Sequence, residues 1–417
     1  MNHKYLTRIS DTALDTALRS SHAVLIEGPK GCGKTSSAKM KSASFLFMQD
    51  PVYSKQYLRA ADIKPSLLLK GAVPRLLDEW QMAPVLWDAV LLIKNRRRCQ
   101  FILTGSAVPT DNVIDNTGRF SKIFMRPMSL YESKDSNGEV SLKSLFDGDS
   151  EISGTSALAI EELAFVLARG GWPEILGENE SNALRYIHEY LETVINNDIS
   201  KVDGVKKNPA KVRALMYSLA RNISITANIS KLKKSTVHNG NTMTEKTISS
   251  YLNALRKIFI IEDLPAWRPN LKTNTAIRIF PKRHYTDPSI AAAMLKLKPE
   301  KLLQHFIIFG RLFESMCIRD LRVYAQAIDG NVFHYRDKNR LEINAIIQLK
   351  DGRWGAADVK MGNKEIEKAA ENLKKLKEKI NTEKMKGPSF LMVLTCTESA
   401  YRRKDGVYIV PVGCLKN

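Results

Sequence analysis

The chain has 417 residues, of which 44% are hydrophobic and 26% are charged, a composition that excludes large-scale disorder and allows several buried cores. Its formal net charge of +20, from 64 Lys and Arg against 44 Asp and Glu, favours a polyanionic partner. The 5 cysteines show neither zinc-site nor disulfide spacing, and no signal peptide or bilayer-spanning run is visible, so we expect a cytoplasmic protein without membrane contact.

The first 150 residues alternate strand patterns with helical stretches. Apolar runs at residues 22–26, 66–69, 74–77 and 100–104 predict strands. Strands that alternate with helices predict a parallel sheet covered on both faces. Turn-forming residues at 135–138 and 147–150 mark the end of this unit. The sequence therefore predicts an α/β domain over residues 1–150.

A glycine-rich segment follows the first predicted strand. It reads GPKGCGKT, which fits the P-loop pattern of glycine, four residues and Gly-Lys-Thr. Its glycines let backbone N–H groups point at phosphate oxygens, while the lysine can reach the β- and γ-phosphates and the threonine can hold Mg²⁺. The helix that begins near Ser36 directs its positive end at the same phosphates. The residues that we expect to bind ATP are Gly28, Pro29, Lys30, Gly31, Cys32, Gly33, Lys34, Thr35 and Ser36.

A later apolar run ends in two carboxylates, Asp78 and Glu79. The pattern resembles a Walker B motif, in which Asp78 and Thr35 would hold the metal and Glu79 would orient or deprotonate the attacking water. The next strand resembles an AAA+ sensor strand, with Thr104 or Ser106 as the polar group beside the acids. An exposed acidic turn and an ordinary strand-ending turn are the alternatives for these two segments.

Two arginines near the end of this unit are candidates for a finger that reaches a neighbouring subunit's nucleotide. They are Arg119 and Arg126, and Arg119 is the preferred one. Such a role requires a homo-oligomer, whereas an arginine on the surface of a single chain is the alternative.

Residues 151–205 predict a helical, lid-like segment, including an amphipathic helix over residues 183–197. Residues 206–299 predict a winged-helix-like module. Residues 224–229 would form a short helix, Thr242 and Glu245 would form a capping box, and the helix that follows would run to about Lys257. The strand at residues 259–261 would contribute to the wing. A helical packing module that never touches DNA remains the alternative.

Residues 300–417 predict a restriction-endonuclease-like α/β domain. A helix glutamate, Glu314, and the strand pair Asp358 and Lys360 fit its metal-binding pattern. Asn344 stands where a strand aspartate is expected, and a neutral amide binds Mg²⁺ more weakly than a carboxylate does. Glu342, two residues away on the same strand face, could compensate. Both an active nuclease and an inactive nucleic-acid-binding remnant remain open. A helix over residues 364–386 is also predicted.

The chain as a whole resembles a prokaryotic family of predicted AAA+-like ATPases with an uncharacterised carboxyl-terminal half. The resemblance covers nearly the whole chain and is carried by residues 28–35, 76–84, 103–106, 170–173, 287–289 and 341–360. Only the phosphate loop is specific by itself. The resemblance implies ATP binding, a winged-helix middle and a nuclease-like end.

The sequence therefore predicts an Mg²⁺-dependent ATPase that couples its nucleotide state to a nucleic-acid-binding half. One alternative is a DNA-binding protein or nuclease in which ATP is a regulatory ligand. Another is an interaction protein that uses nucleotide to assemble.

Overall fold

The computed structural model describes residues 5–93, 100–107, 120–149, 151–202, 204–237, 242–273, 276–277 and 280–417. The amino-terminal unit is an α/β layer structure. Its elements are α1 (Ser10–Ser20), β1 (Ala23–Glu27), α2 (Lys34–Met40), β2 (Ser44–Phe47), α3 (Ser54–Ile63), β3 (Arg75–Asp78), α4 (Val85–Leu91), β4 (Phe101–Gly105) and β5 (Phe120–Phe124). The five strands form one parallel sheet in the order β2-β3-β4-β1-β5. The predicted parallel α/β unit is confirmed.

The predicted strand at residues 66–69 is wrong. The chain forms a 3-10 turn at Pro65–Leu67 instead. Pro65 favours this because its ring fixes φ in the helical range at the start of the turn. The apolar pattern arises because Leu68 and Leu69 are buried in the core beside α3 and α4.

A helical region follows a short connection that contains β6 (Val140–Ser141), α5 (Leu142–Asp147) and β7 (Gly154–Thr155). Its elements are α6 (Ile160–Arg169), α7 (Glu180–Thr193), a π-helical turn at Val194–Asp198, α8 (Ile199–Lys201), α9 (Pro209–Arg221), α10 (Ile229–Val237), α11 (Glu245–Lys257), β8 (Ile261–Leu264), β9 (Lys282–Tyr285), α12 (Pro288–Met294) and α13 (Pro299–Gln304). The strands β8 and β9 pair antiparallel.

Two local predictions in this region are wrong. The helix expected at residues 224–229 lies at Ile229–Val237, because Ser224 has a φ of 61° and Thr226 pairs with Lys282 as an isolated bridge. The cap of α11 is Thr244, whose hydroxyl accepts a hydrogen bond from the backbone N–H of Thr247, and not Thr242. The predicted end of this helix at Lys257 is confirmed.

The carboxyl-terminal unit is built on a mixed sheet. It contains α14 (Phe306–Ala327), β10 (Gly330–Arg336), β11 (Glu342–Leu349), β12 (Trp354–Val359), α15 (Ile366–Lys379), β13 (Leu391–Thr395), β14 (Ser399–Arg402), β15 (Tyr408–Pro411) and β16 (Leu415–Lys416). Seven strands pair in the order β10-β11-β12-β13-β15-β14-β7. The helix predicted over residues 364–386 ends at Lys379, because the next residue, Ile380, pairs with Leu271.

The two long helices of this unit cover opposite faces of its sheet. Strand alternation places Ala345 and Ile347 in the apolar cluster of α14, and Ile346 and Ala356 in that of α15. The cluster of α14 also contains buried residues from α5, α6, α7, α9, α11 and α12 of the preceding segments, and from β13 and β15 of its own unit. One apolar core therefore crosses the predicted domain boundaries at residues 150, 205 and 299, which remain predictions. Within the described ranges, no helix combines the length and apolar character needed to cross a bilayer.

Candidate active site

The phosphate loop connects the buried strand β1 to the start of α2. Gly28 has a φ of +156°, and a Cβ atom at this position would lie 2.0 Å from the carbonyl oxygen of Met125. Gly33 has a φ of +102° immediately before α2. Both positions therefore require glycine, and they let the loop curl with its backbone N–H groups available to an anion.

The lysine of the loop is buried, with 4% of its surface exposed. The Lys34 ammonium donates to the carbonyl oxygens of Gly28 at 3.0 Å and Pro29 at 2.9 Å. Its positive charge is thus held inside the curl of the loop, where a phosphate group would lie. An anion entering the loop would gain a charged donor that is already positioned.

Three side chains from separate elements meet at one carboxylate oxygen. The hydroxyls of Thr35 and Thr104 both donate to Oδ1 of Asp78, at 2.7 and 2.6 Å. The register of the sheet explains this, because Asp78 and Thr104 are paired residues on β3 and β4, and Thr104 is also paired with Ile26 on β1. The predicted Mg²⁺ ligands Thr35 and Asp78 therefore lie in contact at the carboxyl edge of the sheet.

The second acid is held by a separate group of polar side chains. Ser106 donates to Oε2 of Glu79 at 2.7 Å, and Nε2 of Gln81 donates to the same oxygen. The backbone N–H of Glu79 donates to the Thr104 hydroxyl at 3.3 Å. Glu79 has a φ of 56°, a left-handed conformation that persists in a non-glycine residue only when its surroundings hold it there.

The surroundings of Asp78 act on its pKa in opposing directions. Burial raises the pKa of Asp78 above its ordinary value, and the hydrogen bonds from Thr104 and Thr35 oppose the rise. The negative charge of Glu79 raises the pKa further, whereas the positive charge of Lys34 lowers it. A divalent cation would favour the ionised carboxylate, so the donor set fits the metal that the phosphate loop implies.

A buried ion pair that the sequence did not predict contacts the backbone of the phosphate loop. Nε of Arg8 lies 3.0 Å from Oε1 of Glu132, and both residues are 3% exposed. The same guanidinium donates to the carbonyl oxygens of Cys32 at 2.7 Å and Arg126 at 2.8 Å. No local pattern identifies this arginine, because its partners are distant in the sequence and only the fold brings them together.

The helical region covers the other side of the loop. A Cβ atom on Gly31 would lie 3.0 Å from the Tyr186 hydroxyl and 3.8 Å from the Trp172 ring. Trp172 in turn donates through Nε1 to the Ser289 hydroxyl at 3.0 Å, and the backbone N–H of Gly171 donates to Asp287 at 3.1 Å. Two segments named in the family resemblance, residues 170–173 and 287–289, therefore meet beside the phosphate loop.

A cleft of about 730 Å³ opens beside the acidic pair. The amino-terminal unit contributes Lys30, Glu79 and Ser106 to its wall, and the helical region contributes Asp198 and Lys201 among others. Lys30 and Asp198 lie 3.9 Å apart across it. The cleft can therefore give a ligand bound at the acidic pair contacts from both units.

The two arginines predicted as fingers have different outcomes. Arg119 lies outside the described residues. Arg126 binds Glu262 through two nitrogen atoms, at 2.9 and 2.6 Å, and Gln326 at 2.9 Å. The Arg126 guanidinium is therefore engaged within its own chain.

The candidate nuclease-like residues of the carboxyl-terminal unit also come together. Glu314 on α14 and Glu342 on β11 share Lys282 as an ion-pair partner, at 2.9 and 2.8 Å. Asp358 and Lys360, at the end of β12, lie 3.4 Å apart. The Asn344 side chain accepts a hydrogen bond from the backbone N–H of Val359 at 2.9 Å.

Comparison with known proteins divides the chain into three matched segments. Residues 20–134 match a family model described as an AAA domain. Residues 160–301 and 309–415 match models described as domains of unknown function, DUF8612 and DUF4143. No curated protein matches the chain.

Among solved structures, the chain is similar to the Walker-type ATPase PABY2304 of Pyrococcus abyssi. The sequence identity is 14%, the alignment covers 70% of this chain and 97% of that one, and the TM-score is 0.43. The AAA-domain match over residues 20–134, on the sheet that carries the phosphate loop and the acidic pair, supports a P-loop ATPase fold for the amino-terminal unit.

Proposed function

We propose that this protein binds ATP with Mg²⁺ at the phosphate loop and hydrolyses it. The observation that carries the proposal is the shared Asp78 oxygen, which accepts hydrogen bonds from the phosphate-loop threonine and from Thr104 of the neighbouring strand. This arrangement joins a phosphate-binding element to a carboxylate that can hold a metal. Bound Mg²⁺ would neutralise charge on the phosphates and orient them.

The side chains then have distinct tasks. Lys34 exchanges its two carbonyl partners for phosphate oxygens. Asp78 and Thr35 would hold the Mg²⁺ ion. Glu79, fixed by Ser106 and Gln81, orients or deprotonates the attacking water. Thr104 hydrogen-bonds to both acids and so keeps their relative positions constant.

The test is ATP turnover by the purified chain. Lys34→Ala should reduce phosphate release by about 10²-fold or more, because it removes the charged donor to the β- and γ-phosphates. Lys39→Ala is the matched control, since Lys39 is an exposed lysine on the same helix and lies over the Phe45 and Phe47 rings. Equal turnover in wild type and Lys34→Ala would reject the proposal.

A second candidate function is binding of a nucleic acid by the helical region. Its support is three exposed lysines, Lys231 and Lys234 on α10 and Lys246 on α11, in a chain whose net charge is +20. The order α9, α10, α11, β8, β9 is the order that a winged helix requires. On this proposal, nucleotide hydrolysis or binding changes the state of a DNA-bound protein.

The test of this second candidate is binding to a fluorescent DNA duplex across a salt series. Replacing the three lysines by alanine should weaken binding at low salt and make the salt dependence shallower, by about one in the log–log slope for each lost phosphate contact. An unchanged slope would show that these three lysines do not contact the DNA. Absence of DNA binding by wild type at low salt would reject the candidate function as a whole.

A further inference from the structure

Two of the nuclease-like residues of the carboxyl-terminal unit flank a buried lysine. Lys282 lies on β9, outside this unit, and only 1% of its side chain is exposed. Its ammonium lies 2.9 Å from Glu314 on α14 and 2.8 Å from Glu342 on β11. The ammonium therefore lies between two carboxylates of the set that the sequence predicts as metal ligands.

The remaining candidate ligands are also occupied. Both carboxylate oxygens of Asp358 have partners, since Oδ2 lies 3.4 Å from the Lys360 ammonium and Oδ1 accepts the backbone N–H of Val359 at 3.2 Å. The Asn344 oxygen accepts the same N–H at 2.9 Å. Over the ranges that the structure describes, no group of three or more His, Cys, Asp and Glu side chains is arranged to hold a metal ion. These residues therefore do not fit the divalent cation that the resemblance implies.

A buried ammonium is stable only when it is paired. Burial by itself would lower the pKa of Lys282, but the ion pairs with Glu314 and Glu342 outweigh burial and raise it. The attraction acts in both directions, because Lys282 lowers the pKa of Glu342 against the effect of its burial. The lysine charge thus compensates the two acids in the way that a bound cation would.

We propose that the Lys282 ammonium takes the place of the divalent cation that the nuclease-like arrangement would otherwise hold. The site then contains no metal and links β9 to α14 and β11 through ion pairs. Its chemistry is that of an internal ion-pair triad, and the carboxyl-terminal unit needs no metal to fold. This inference does not depend on ATP binding, which takes place at the other sheet.

The experiment removes the internal cation and offers an external one. Lys282→Met and Lys282→Gln are made in the full chain without nucleotide, and thermal unfolding is followed with and without millimolar Mn²⁺. Each variant removes the ammonium from Glu314 and Glu342 and leaves Glu342 only its weaker pair with Arg336 at 3.5 Å, so we expect a lower midpoint than wild type in metal-free buffer. Mn²⁺ should raise the midpoint of the variants by about 2 °C or more above its effect on wild type.

Two controls separate replacement of a cation from general stabilisation. Lys379→Met also removes a lysine from a buried acid of the same unit, Asp337, but leaves a lone carboxylate and should show no such gain from Mn²⁺. Adding Glu314→Gln to Lys282→Met should abolish the gain. The proposal is overturned if Mn²⁺ fails to stabilise or refold both Lys282 variants. It is also overturned if Mn²⁺, bound at Glu314, raises the unfolding midpoint of wild type as much as that of the variants.

Discussion

At the scale of single residues, the Thr104 hydroxyl connects the two candidate carboxylates. It donates to the side chain of Asp78 and accepts the backbone N–H of Glu79. Because Thr104 is fully buried, these hydrogen bonds are protected from water and fix the separation of the two acids. The proposed metal ligand and the proposed water-orienting group are therefore positioned by the same strand end.

Glu79→Gln tests the division of labour between these acids. The amide keeps the size of the side chain and some of its hydrogen bonding but cannot accept a proton, so we expect ATP turnover to fall by about 10² to 10⁴-fold. Affinity for a fluorescent ATP analogue should stay within a few-fold of wild type. Asp88→Asn, on the exposed side of α4, should change neither quantity. Loss of nucleotide affinity in Glu79→Gln would instead assign this residue to binding.

His334 should make the stability of the protein depend on pH. It is fully buried on β10, and burial together with the charge of Lys282 lowers its pKa from 6.5 to about 4. The folded protein thus holds a neutral ring, whereas the unfolded chain takes up a proton below about pH 6.5. The contribution of the neutral His334 ring to the free energy of unfolding is fully present above pH 6.5 and is lost as the pH falls towards 4.

The size of this contribution follows from the difference in pKa, and it amounts to about 3 kcal/mol. Denaturant unfolding of His334→Gln should therefore show a flatter pH profile between pH 6.5 and 4 than wild type does. Some slope should remain, because burial also lowers the pKa of His284. His188→Gln, at an exposed position on α7, should leave the profile as it is. Identical slopes in wild type and His334→Gln would contradict the assignment.

The sequence could predict the site residues that follow a local pattern. Residues 28–35 and the pair at 78–79 are identifiable because phosphate binding and metal binding need fixed residue types at fixed spacing. Arg8, Glu132 and Lys282 could not be predicted in this way, because each acts through partners that only the tertiary structure supplies. The roles of the predicted residues in catalysis remain proposals.

At the scale of elements, the start of α11 shows how a cap is selected. Thr242 and Glu245 have the spacing of a capping box, yet the helix begins at Glu245 and its cap is Thr244. The same kind of displacement occurs at residues 224–229, where pairing of Thr226 with Lys282 moves the helix start to Ile229. The presence of helices in this region was therefore predictable from the sequence, whereas the positions of their ends depended on contacts with other elements.

Thr244→Ala and Thr242→Ala distinguish the two candidate caps. Loss of the Thr244 hydroxyl leaves the backbone N–H of Thr247 without its acceptor, so we expect a decrease of about 1 kcal/mol in the free energy of unfolding. Thr242→Ala should change it by less than about 0.5 kcal/mol, because this side chain is exposed and is not the cap. Chemical denaturation of both variants measures the difference, and equal effects would disprove the structural cap.

At the scale of the whole molecule, charged side chains join the units across their boundaries. Arg126 follows β5 of the amino-terminal unit and binds Glu262 on β8 and Gln326 on α14. Arg319 on α14 binds Asp287 at 2.7 Å, and Asp287 accepts the backbone N–H of Gly171 next to the phosphate loop. Contacts of this kind give the candidate nucleotide site a continuous physical connection to α14.

The Arg126–Glu262 pair should contribute substantially to stability. Its side chains are 11% and 23% exposed, and the charge of Arg126 contributes to lowering the pKa of Glu262 to about 2 against the effect of burial. We expect Arg126→Ala to lower the free energy of unfolding by about 2 kcal/mol or more, because it leaves Glu262 with less compensation.

A matched control is available in the same chain. Arg213 and Glu192 form the same two-nitrogen pairing on the surface, with 46% and 35% exposure, so Arg213→Ala should cost less than about 1 kcal/mol. Double-mutant cycles on both pairs, measured by urea unfolding, provide the comparison. Equal coupling energies in the two pairs would contradict the expected contribution of the buried one.

The pairing of β6 with β16 has a practical consequence for anyone who wishes to isolate the ATPase portion. Strand β6 follows the parallel sheet of the amino-terminal unit along the chain, yet it pairs with β16, at residues 415 and 416. A fragment that ends near residue 150 would keep β6 but lack its partner, and it would also uncover the apolar side chains around Leu130 and Val140. Such a fragment should aggregate, so biochemical work on either half is best performed with inactivating substitutions in the intact polypeptide.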